Sequence, residues 1–188
     1  MSGLLVPLPK RLPFSGMVAQ MRPILHQLLE EAAAHGYPRP GPRLRVLETG
    51  SSGGLLTALL LETPLAERVV SADFADISPD TLEAAVERSA DWPCRCHFIN
   101  NNLHHLATRE GYDIISTWSS FQWGGPDQRA AEAVMARQKP GGLLLQFHDQ
   151  MEPSWLGFAL HRYRLLGTRG YSSSGGREPK CANAWGLA

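Results

Sequence analysis

The first regular pattern along the chain is helical. Between Met17 and His35 the apolar residues recur every three or four positions, which places them on one side of a helix. These residues are Leu25, Leu28, Leu29, Ala32 and Ala33. Pro23 starts or kinks this helix. Residues 1–16 are rich in Pro and Gly and are predicted to be irregular, and the Pro-rich residues 36–42 form a linker. We therefore expect an N-terminal segment with a cap helix, residues 1–42, before a main domain of residues 43–188.

In the main domain, short apolar runs alternate with amphipathic stretches. The predicted strands are Leu44–Glu48, Val69–Ala75, Arg95–Ile99, Tyr112–Thr117 and Leu143–Phe147. The predicted helices are Leu55–Glu62, one that begins at Ser78 and Pro79, Gln128–Arg137 and Trp155–Leu166. Such alternation predicts an α/β, Rossmann-like fold with a mainly parallel sheet and helices on both faces. Lys139–Gly142 is predicted to be a turn, and Thr168–Ala188 contains no convincing sixth or seventh strand.

Candidate chemistry follows the strands, because ligands of open parallel sheets bind at the carboxyl ends of the strands. The first strand ends at Glu48 and continues into a Gly-rich turn, residues 49–54. A carboxylate before that turn is unfavourable for a pyrophosphate, but it suits a ligand that carries an ammonium group. At the end of the second strand, Asp73 and Asp76 are both candidates to accept the hydroxyls of a ribose.

Five segments together resemble the class I, S-adenosylmethionine-dependent methyltransferase family, and they span about half of the chain. Arg45–Gly54, RVLETGSSGG, resembles the first motif of the family, E-x-G-x-G-x-G, with Ser52 in place of the middle glycine. Asp76–Ala85 resembles the acidic second motif. Phe98–Leu103 resembles the third, with Asn102 where an acid is usual. The remaining segments are Tyr112–Thr117 with Phe121–Trp123, and Gln138–Leu145 with the K-P-G-G turn.

The resemblance implies a Rossmann-like methyltransferase fold, here without its last strands, and S-adenosylmethionine as the cofactor. It implies that Glu48 lies near the amino group of the methionine part and that Asp76, rather than Asp73, holds the ribose. The other implied cofactor contacts are Gly50, Ser52 and Gly54 in the turn, Ile77, Asn102 and Leu103 around the adenine, and Thr117. The wording is closest to methyltransferases that act on small molecules or carrier-bound acyl chains, including those within polyketide synthases. Association with other synthase domains is a further expectation.

Methyl transfer needs a general base only where the acceptor has a proton to lose. His148 follows the fifth predicted strand at the ligand edge and is the candidate base. Asp149 lies beside it, and His104 and His105 are expected to face solvent on a short helix.

Composition limits the other classes of function. The 18 basic and 18 acidic residues give zero net charge, which does not support a nucleic-acid partner. No stretch predicts a secretory leader or a membrane span, so we expect a cytoplasmic protein. The three cysteines are expected to be reduced. Cys94 and Cys96 on a strand point to one face and His97 to the other, so no metal site is predicted.

Two alternatives remain open. The Gly-rich turn also fits the G-x-S-x-G pattern of a hydrolase, with Ser52 as nucleophile and Asp149 and His161 as its partners. The second alternative is a non-catalytic pseudo-methyltransferase that serves as a structural or interaction domain of a larger synthase or complex. The substitutions at Ser52 and Asn102, together with the lack of predicted final strands, favour that alternative.

Overall fold

A computed structural model of the protein describes residues 14–39, 41–50, 53–100, 102–103, 111–118, 120, 128–148, 163–172 and 179–187. The helices are α1 (Phe14–Ala34), α2 (Leu55–Leu60), α3 (Pro79–Ser89) and α4 (Gln128–Met135), with a short 3-10 helix at Pro64–Arg68. The strands are β1 (Leu44–Thr49), β2 (Val69–Asp76), β3 (Arg95–Asn100), β4 (Tyr112–Trp118), β5 (Gln138–His148), β6 (Tyr163–Ser172) and β7 (Pro179–Leu187).

The strands form one seven-stranded sheet in the order β3-β2-β1-β4-β5-β7-β6. The first five strands pair in parallel, and β7 pairs antiparallel with both β5 and β6. The carboxyl ends of β1 to β5 therefore meet at one edge of the sheet. The prediction of a mainly parallel sheet with helices on both faces is confirmed.

A local signal in the sequence accounts for the start of α3. Ser78 accepts a hydrogen bond from the Thr81 backbone N–H at 3.4 Å, and Pro79 occupies the first turn, so α3 begins as predicted. The first helix runs through Pro23 without ending. In the described part of the chain, no helix is long and apolar enough to cross a membrane.

The two faces of the sheet carry separate hydrophobic clusters. One cluster joins the apolar sides of α1, α2 and α3 to one face of the sheet, with Phe74 and Phe147 fully buried in it. The other joins α4 to the opposite face, through Leu47, Ile115 and Leu144. In β1 and β5, successive buried residues therefore belong to different clusters, which is the expected geometry of a sheet covered on both sides.

The end of the sheet corrects three predictions. The fold does not lack its last strands, because β6 and β7 complete the sheet. The predicted helix Trp155–Leu166 is wrong over Tyr163–Leu166, which belong to β6, and residues 151–162 lie outside the described residues. Lys139–Gly142 is the beginning of β5 rather than a turn before it, with Gly141 at a φ of 78° beside a register shift opposite β4.

The final strands escaped prediction for a physical reason. Neither segment has a regular apolar alternation, and strand preference depends strongly on the neighbours in the sheet. β6 lies at the edge of the sheet, with Arg164, Leu165 and Thr168 exposed, and its glycines break the apolar alternation. β7 lies between β5 and β6 in the sheet, and its residues are mostly small.

Candidate functional site

The turn between β1 and α2 depends on glycine. Gly50, Gly53 and Gly54 have φ values of 61°, 70° and 82°, which side chains other than glycine rarely adopt. A Cβ on Gly50 would lie 2.4 Å from the backbone oxygen of Trp118. The absence of a side chain there lets the ends of β1 and β4 approach each other. Ser52, the middle position of the motif, lies outside the described residues.

Glu48 is fully buried directly beneath this turn. Its Oε2 accepts hydrogen bonds from the Thr57 backbone N–H at 2.7 Å and from the Thr57 hydroxyl at 2.6 Å. Its Oε1 accepts one from the Leu56 backbone N–H at 3.3 Å. The pKa of Glu48 is raised from 4.5 to about 7. Burial is the main cause, and it outweighs the hydrogen bonds from Thr57 and Leu56 and the charge of Arg88, which act to lower the pKa.

Thr57 and Arg88 were not singled out from the sequence. Arg88, on α3, lies against the turn, since a Cβ on Gly53 would be 2.9 Å from its Nη1. The pKa of Arg88 is lowered, because its burial outweighs the opposing effect of the Glu48 charge. Thr57 lies in the first turn of the helix that follows the glycines, and that position was its only sequence signal.

The arrangement distinguishes between phosphate and ammonium ligands. In a dinucleotide site the backbone N–H groups of this helix turn are donors to a pyrophosphate. Here the carboxyl of Glu48 accepts from two of those N–H groups, those of Leu56 and Thr57. A phosphate would therefore meet a carboxyl instead of free donors, whereas a cationic group would be attracted to it.

The two acids of β2 have different surroundings. Asp76 ends the strand at the carboxyl edge, and its Oδ1 accepts from the Ser78 backbone N–H at 2.9 Å. Asp73 lies within the strand, where Oδ2 accepts from the Tyr112 hydroxyl at 2.6 Å and Oδ1 is 2.8 Å from His97 Nδ1. Of the two candidates that the sequence offered, only Asp76 reaches the ligand edge.

Three further predicted contacts lie beside Asp76. The side chain of Ile77 is 65% exposed, which is unusual for a large apolar residue and leaves it open to a flat ligand. Asn100 Nδ2 donates to the Ile77 backbone oxygen at 3.3 Å, which joins the ends of β2 and β3. Asn102 is exposed and Leu103 is buried just beyond β3.

The ends of β4 and β5 complete the edge. Thr117 is buried and pairs with Thr49, whose hydroxyl is 2.9 Å from that of Ser120. His148 ends β5 opposite Cys181, and its side chain lies outside the described residues. Also outside them are His104, His105, Phe121, Asp149 and His161.

Cys94, just before β3, and Cys96, on β3, do not lie at this edge. Cys94 and Cys96 pack against the cluster of α1 to α3, whereas His97 bonds to Asp73 on the other face. Burial raises the pKa of the Cys94 thiol to about 12, so it stays protonated at neutral pH. Among the residues that the structure describes, no group of three or more His, Cys, Asp or Glu side chains is arranged to hold a metal ion.

Comparison with known proteins agrees with this geometry. Residues 46–142, about half of the chain, match a family model described as a methyltransferase domain. The malonyl-[acyl-carrier protein] O-methyltransferase of Chlorobium luteolum is 28% identical over 134 residues, which cover 70% of this chain and 49% of that protein. The highly reducing polyketide synthase azaB of Aspergillus niger is 30% identical over 116 residues, which cover 55% of this chain and 5% of the synthase. The chain thus spans half or less of the length of these curated relatives.

The solved structures support the same fold at lower identity. The N-methyltransferase NodS from Bradyrhizobium japonicum WM9, in complex with S-adenosyl-L-homocysteine, superposes with a TM-score of 0.68 at 16% identity. The superposition covers 93% of this chain and 88% of that one. The Rossmann-like methyltransferase fold implied by the sequence motifs is therefore confirmed, and it includes the final strands.

Proposed function

The chain belongs to the methyltransferase-domain family, and from that premise we propose that it binds S-adenosylmethionine and transfers a methyl group to a small-molecule or carrier-bound acceptor. The observation that carries the cofactor proposal is the buried carboxyl of Glu48 beneath the glycine turn. A nucleoside cofactor with an ammonium group and no phosphates fits this donor and acceptor set, whereas a dinucleotide does not.

Each predicted contact receives a role in this proposal. Glu48 attracts the ammonium of the methionine part, directly or through water, and that positive charge would favour its ionised form. Asp76 accepts the ribose hydroxyls at the end of β2. Ile77 and Leu103 flank the adenine, and Asn102 accepts from its amino group. The backbone at Gly50, Ser52 and Gly54 and the end of β4 at Thr117 border the methionine part.

The chemistry then depends mainly on position. When bound, S-adenosylmethionine would supply a methyl group that the positive charge on its sulfur activates. The acceptor lone pair would take that methyl in line, and the sulfur would leave as a neutral thioether. The ends of β1, β4 and β5 hold the acceptor beside that group and exclude water. Where the acceptor atom carries a proton, we propose that His148 at the end of β5 removes it.

The acceptor part of the proposal draws on the relatives. One of them is named for methylation of a malonyl group on an acyl-carrier protein, and the other is a polyketide synthase. Both names concern acyl chains that are carried as thioesters. We therefore propose a carrier-bound acyl group as the acceptor, with association to other synthase domains.

The test is calorimetric titration with S-adenosylhomocysteine, because the product nucleoside binds without any acceptor. We expect micromolar binding by the wild type. Asp76→Ala should weaken binding about a hundredfold, since it removes hydrogen bonds between a charged group and the ribose. Asp91→Ala is the matched control, an exposed acid beyond the end of α3, and it should bind as the wild type does.

Thermal unfolding of each variant separates lost binding from lost structure. Retained folding with no nucleoside binding in the wild type would overturn the enzyme proposal. The non-catalytic structural or interaction domain would then be the better account. Equal weakening in Asp76→Ala and Asp91→Ala would instead overturn the ribose assignment alone.

A further inference from the structure

Most strands that begin at the amino edge of the sheet, opposite the carboxyl edge, have a basic residue at their start. β7 is antiparallel to both β5 and β6, so β6 begins at this edge together with β1 to β5. Each of these strands except β4 has an Arg or Lys directly before it or at its first or second position. The residues are Arg43 and Arg45 at β1, Arg68 at β2, Arg95 at β3, Arg137 and Lys139 at β5, and Arg164 at β6. We call this group, together with Arg39, the basic edge.

Contacts between neighbouring segments hold this edge together. Arg39, in the linker before β1, lies against the start of β5, where its backbone N–H donates to the Gly141 oxygen at 2.9 Å. Arg68 Nε donates to the Gly41 oxygen of the same linker at 2.8 Å. The starts of β1, β2 and β5 are therefore joined. The positive charges belong to one connected surface rather than to separate loops.

Only part of this positive charge is neutralised within the part of the chain that the structure describes. Lys139 Nζ is 2.9 Å from Asp113 Oδ2 and forms an ion pair with it. Four arginines of the basic edge are exposed and form no ion pair with a described carboxylate, namely Arg39, Arg43, Arg95 and Arg164. Arg22 on α1, by contrast, pairs with Glu62 at 2.6 Å. Positive charge is thus in excess at the amino edge, although the chain as a whole has zero net charge.

Charge is segregated along the strands. The last two residues of β1 to β6 include Glu48 and Asp76 but no Arg or Lys. The negative carboxyl end of α4 accounts for a positive charge at Arg137, which follows that helix closely. Arg43 and Arg95 lie several residues beyond α1 and α3, outside the range of this helix effect. Helix ends alone therefore do not account for the basic edge.

Arginine determines what this surface is suited to bind. The guanidinium is planar, stays charged, and presents forked donors that match a carboxylate with two parallel hydrogen bonds. The positive charge is also interrupted, since Glu67 and Asp113 lie among the basic residues. An interrupted pattern fits the separate carboxylates of a folded protein better than the continuous charge of a nucleic-acid backbone.

The basic edge is remote from the proposed cofactor site. The six residues of β1 separate Arg43 from the glycine turn, a distance of roughly 20 Å at the usual rise of a strand. A protein that binds the amino edge therefore leaves the carboxyl edge open to small ligands.

We propose that the basic edge is a docking surface for an acidic surface of another protein or protein domain. The carboxylates of that partner pair with the exposed arginines Arg39, Arg43, Arg95 and Arg164. This inference goes beyond the proposed methyl transfer and does not depend on it, because the two sites lie at opposite ends of the strands.

The test is a binding titration with a synthetic acidic probe, a fluorescein-labelled peptide of alternating Glu and Ala. Fluorescence anisotropy at low ionic strength measures its binding to the wild type, and we expect a dissociation constant in the micromolar range. Binding should weaken at least tenfold when the salt concentration rises from about 0.01 M to about 0.15 M, because the screening length falls from about 30 Å to about 8 Å. An oligodeoxythymidine of the same total charge should bind no more tightly than the peptide.

Charge reversal at one exposed arginine tests the location. Arg43→Glu should weaken peptide binding about tenfold, because repulsion replaces attraction. Arg129→Glu is the matched control, since it changes the net charge equally at another exposed arginine, near the start of α4. It should leave peptide binding within twofold of the wild type. Arg95→Glu is the second variant of the basic edge, in case thermal unfolding shows that Arg43→Glu does not fold.

The possible failures are distinct. No binding of the peptide, or equal weakening by Arg43→Glu and Arg129→Glu, would overturn the inference. Tighter binding of the oligodeoxythymidine would also overturn it, because a nucleic acid would then be the better partner. Titration with S-adenosylhomocysteine reports separately on the proposed function, and Arg43→Glu should bind that nucleoside as the wild type does.

Discussion

Glu48 and Asp73 lie on neighbouring strands, and both carboxyls are buried, at 0% and 6% exposure. Their partners differ. Glu48 accepts from the backbone and side chain of the first turn of α2, at the carboxyl edge of the sheet. Asp73 accepts from Tyr112 on β4 and contacts His97 on β3, so it connects strands on either side of β2 and reaches past β1.

The difference teaches that location within the sheet decides what a buried acid does. At the edge, Glu48 occupies donors that would otherwise attract a phosphate, and it leaves negative character below the glycine turn. Within the sheet, Asp73 bonds to Tyr112 and His97 and so ties their strands together. The residue type is nearly the same, yet one position lies beneath the proposed cofactor site and the other bonds strands of the sheet together.

The largest expected effect comes from removing the edge carboxyl. Glu48→Ala should lower the free energy of unfolding by about 3 kcal/mol, because it leaves buried donors of α2 and the hydroxyl of Thr57 without an acceptor. It should also abolish S-adenosylhomocysteine binding. Urea unfolding and calorimetry measure the two effects. A folded Glu48→Ala protein that binds the nucleoside normally would show that Glu48 is structural, like Asp73.

The next effect concerns pH. Because the pKa of Glu48 rises from 4.5 to about 7 on folding, the folded protein retains a proton that the unfolded chain releases. Stability from this group is complete below pH 4.5 and is lost as the pH rises to about 7. The slope should be about 1 kcal/mol per pH unit in that range.

The Glu48→Gln variant isolates this contribution from the other titrating groups. Unfolding curves of both proteins should be recorded between pH 4 and pH 8, which are about the limits of the expected change. The stability of the wild type relative to the variant should fall as the pH rises. Parallel curves would exclude a raised pKa at Glu48.

The smallest effect belongs to the interior acid. Tyr112→Phe removes the hydroxyl that donates to Asp73 and should lower the free energy of unfolding by about 1 kcal/mol. Nucleoside binding should not change. Tyr37→Phe, at a half-buried tyrosine, is the control and should have a smaller effect on unfolding. Weakened nucleoside binding in Tyr112→Phe would remove the distinction between edge and interior.

The sequence predicted the parallel part of the sheet because its signals are local. Ser78 and Pro79 predict the start of α3, and the apolar runs of β1, β4 and β5 are typical of strands covered on both faces. β6 and β7 were not predicted because glycines and small residues interrupt their apolar pattern, and only their pairing with each other and with β5 identifies them as strands. Leu165 and Leu166 resemble a helix stripe in sequence, but only Leu166 is buried.

The candidate site shows the same limit. The motif placed Glu48 and Asp76 at the ligand edge, where the structure has them. It did not reveal Thr57 or Arg88, whose approach to Glu48 depends on how two helices dock. The basic edge had one available signal, an Arg or Lys at the start of most strands, but only the order of the strands brings these residues together.

The order of strands also has a consequence for synthesis on the ribosome. β6 emerges before β7, yet β7 lies between β6 and β5 in the sheet. Until β7 is made, a nascent chain therefore presents β5 as an open edge, which other strands can join in error. The half of the sheet that carries Glu48 and Asp76 can form earlier. β5 gains its second neighbour in the sheet only when translation has delivered β7.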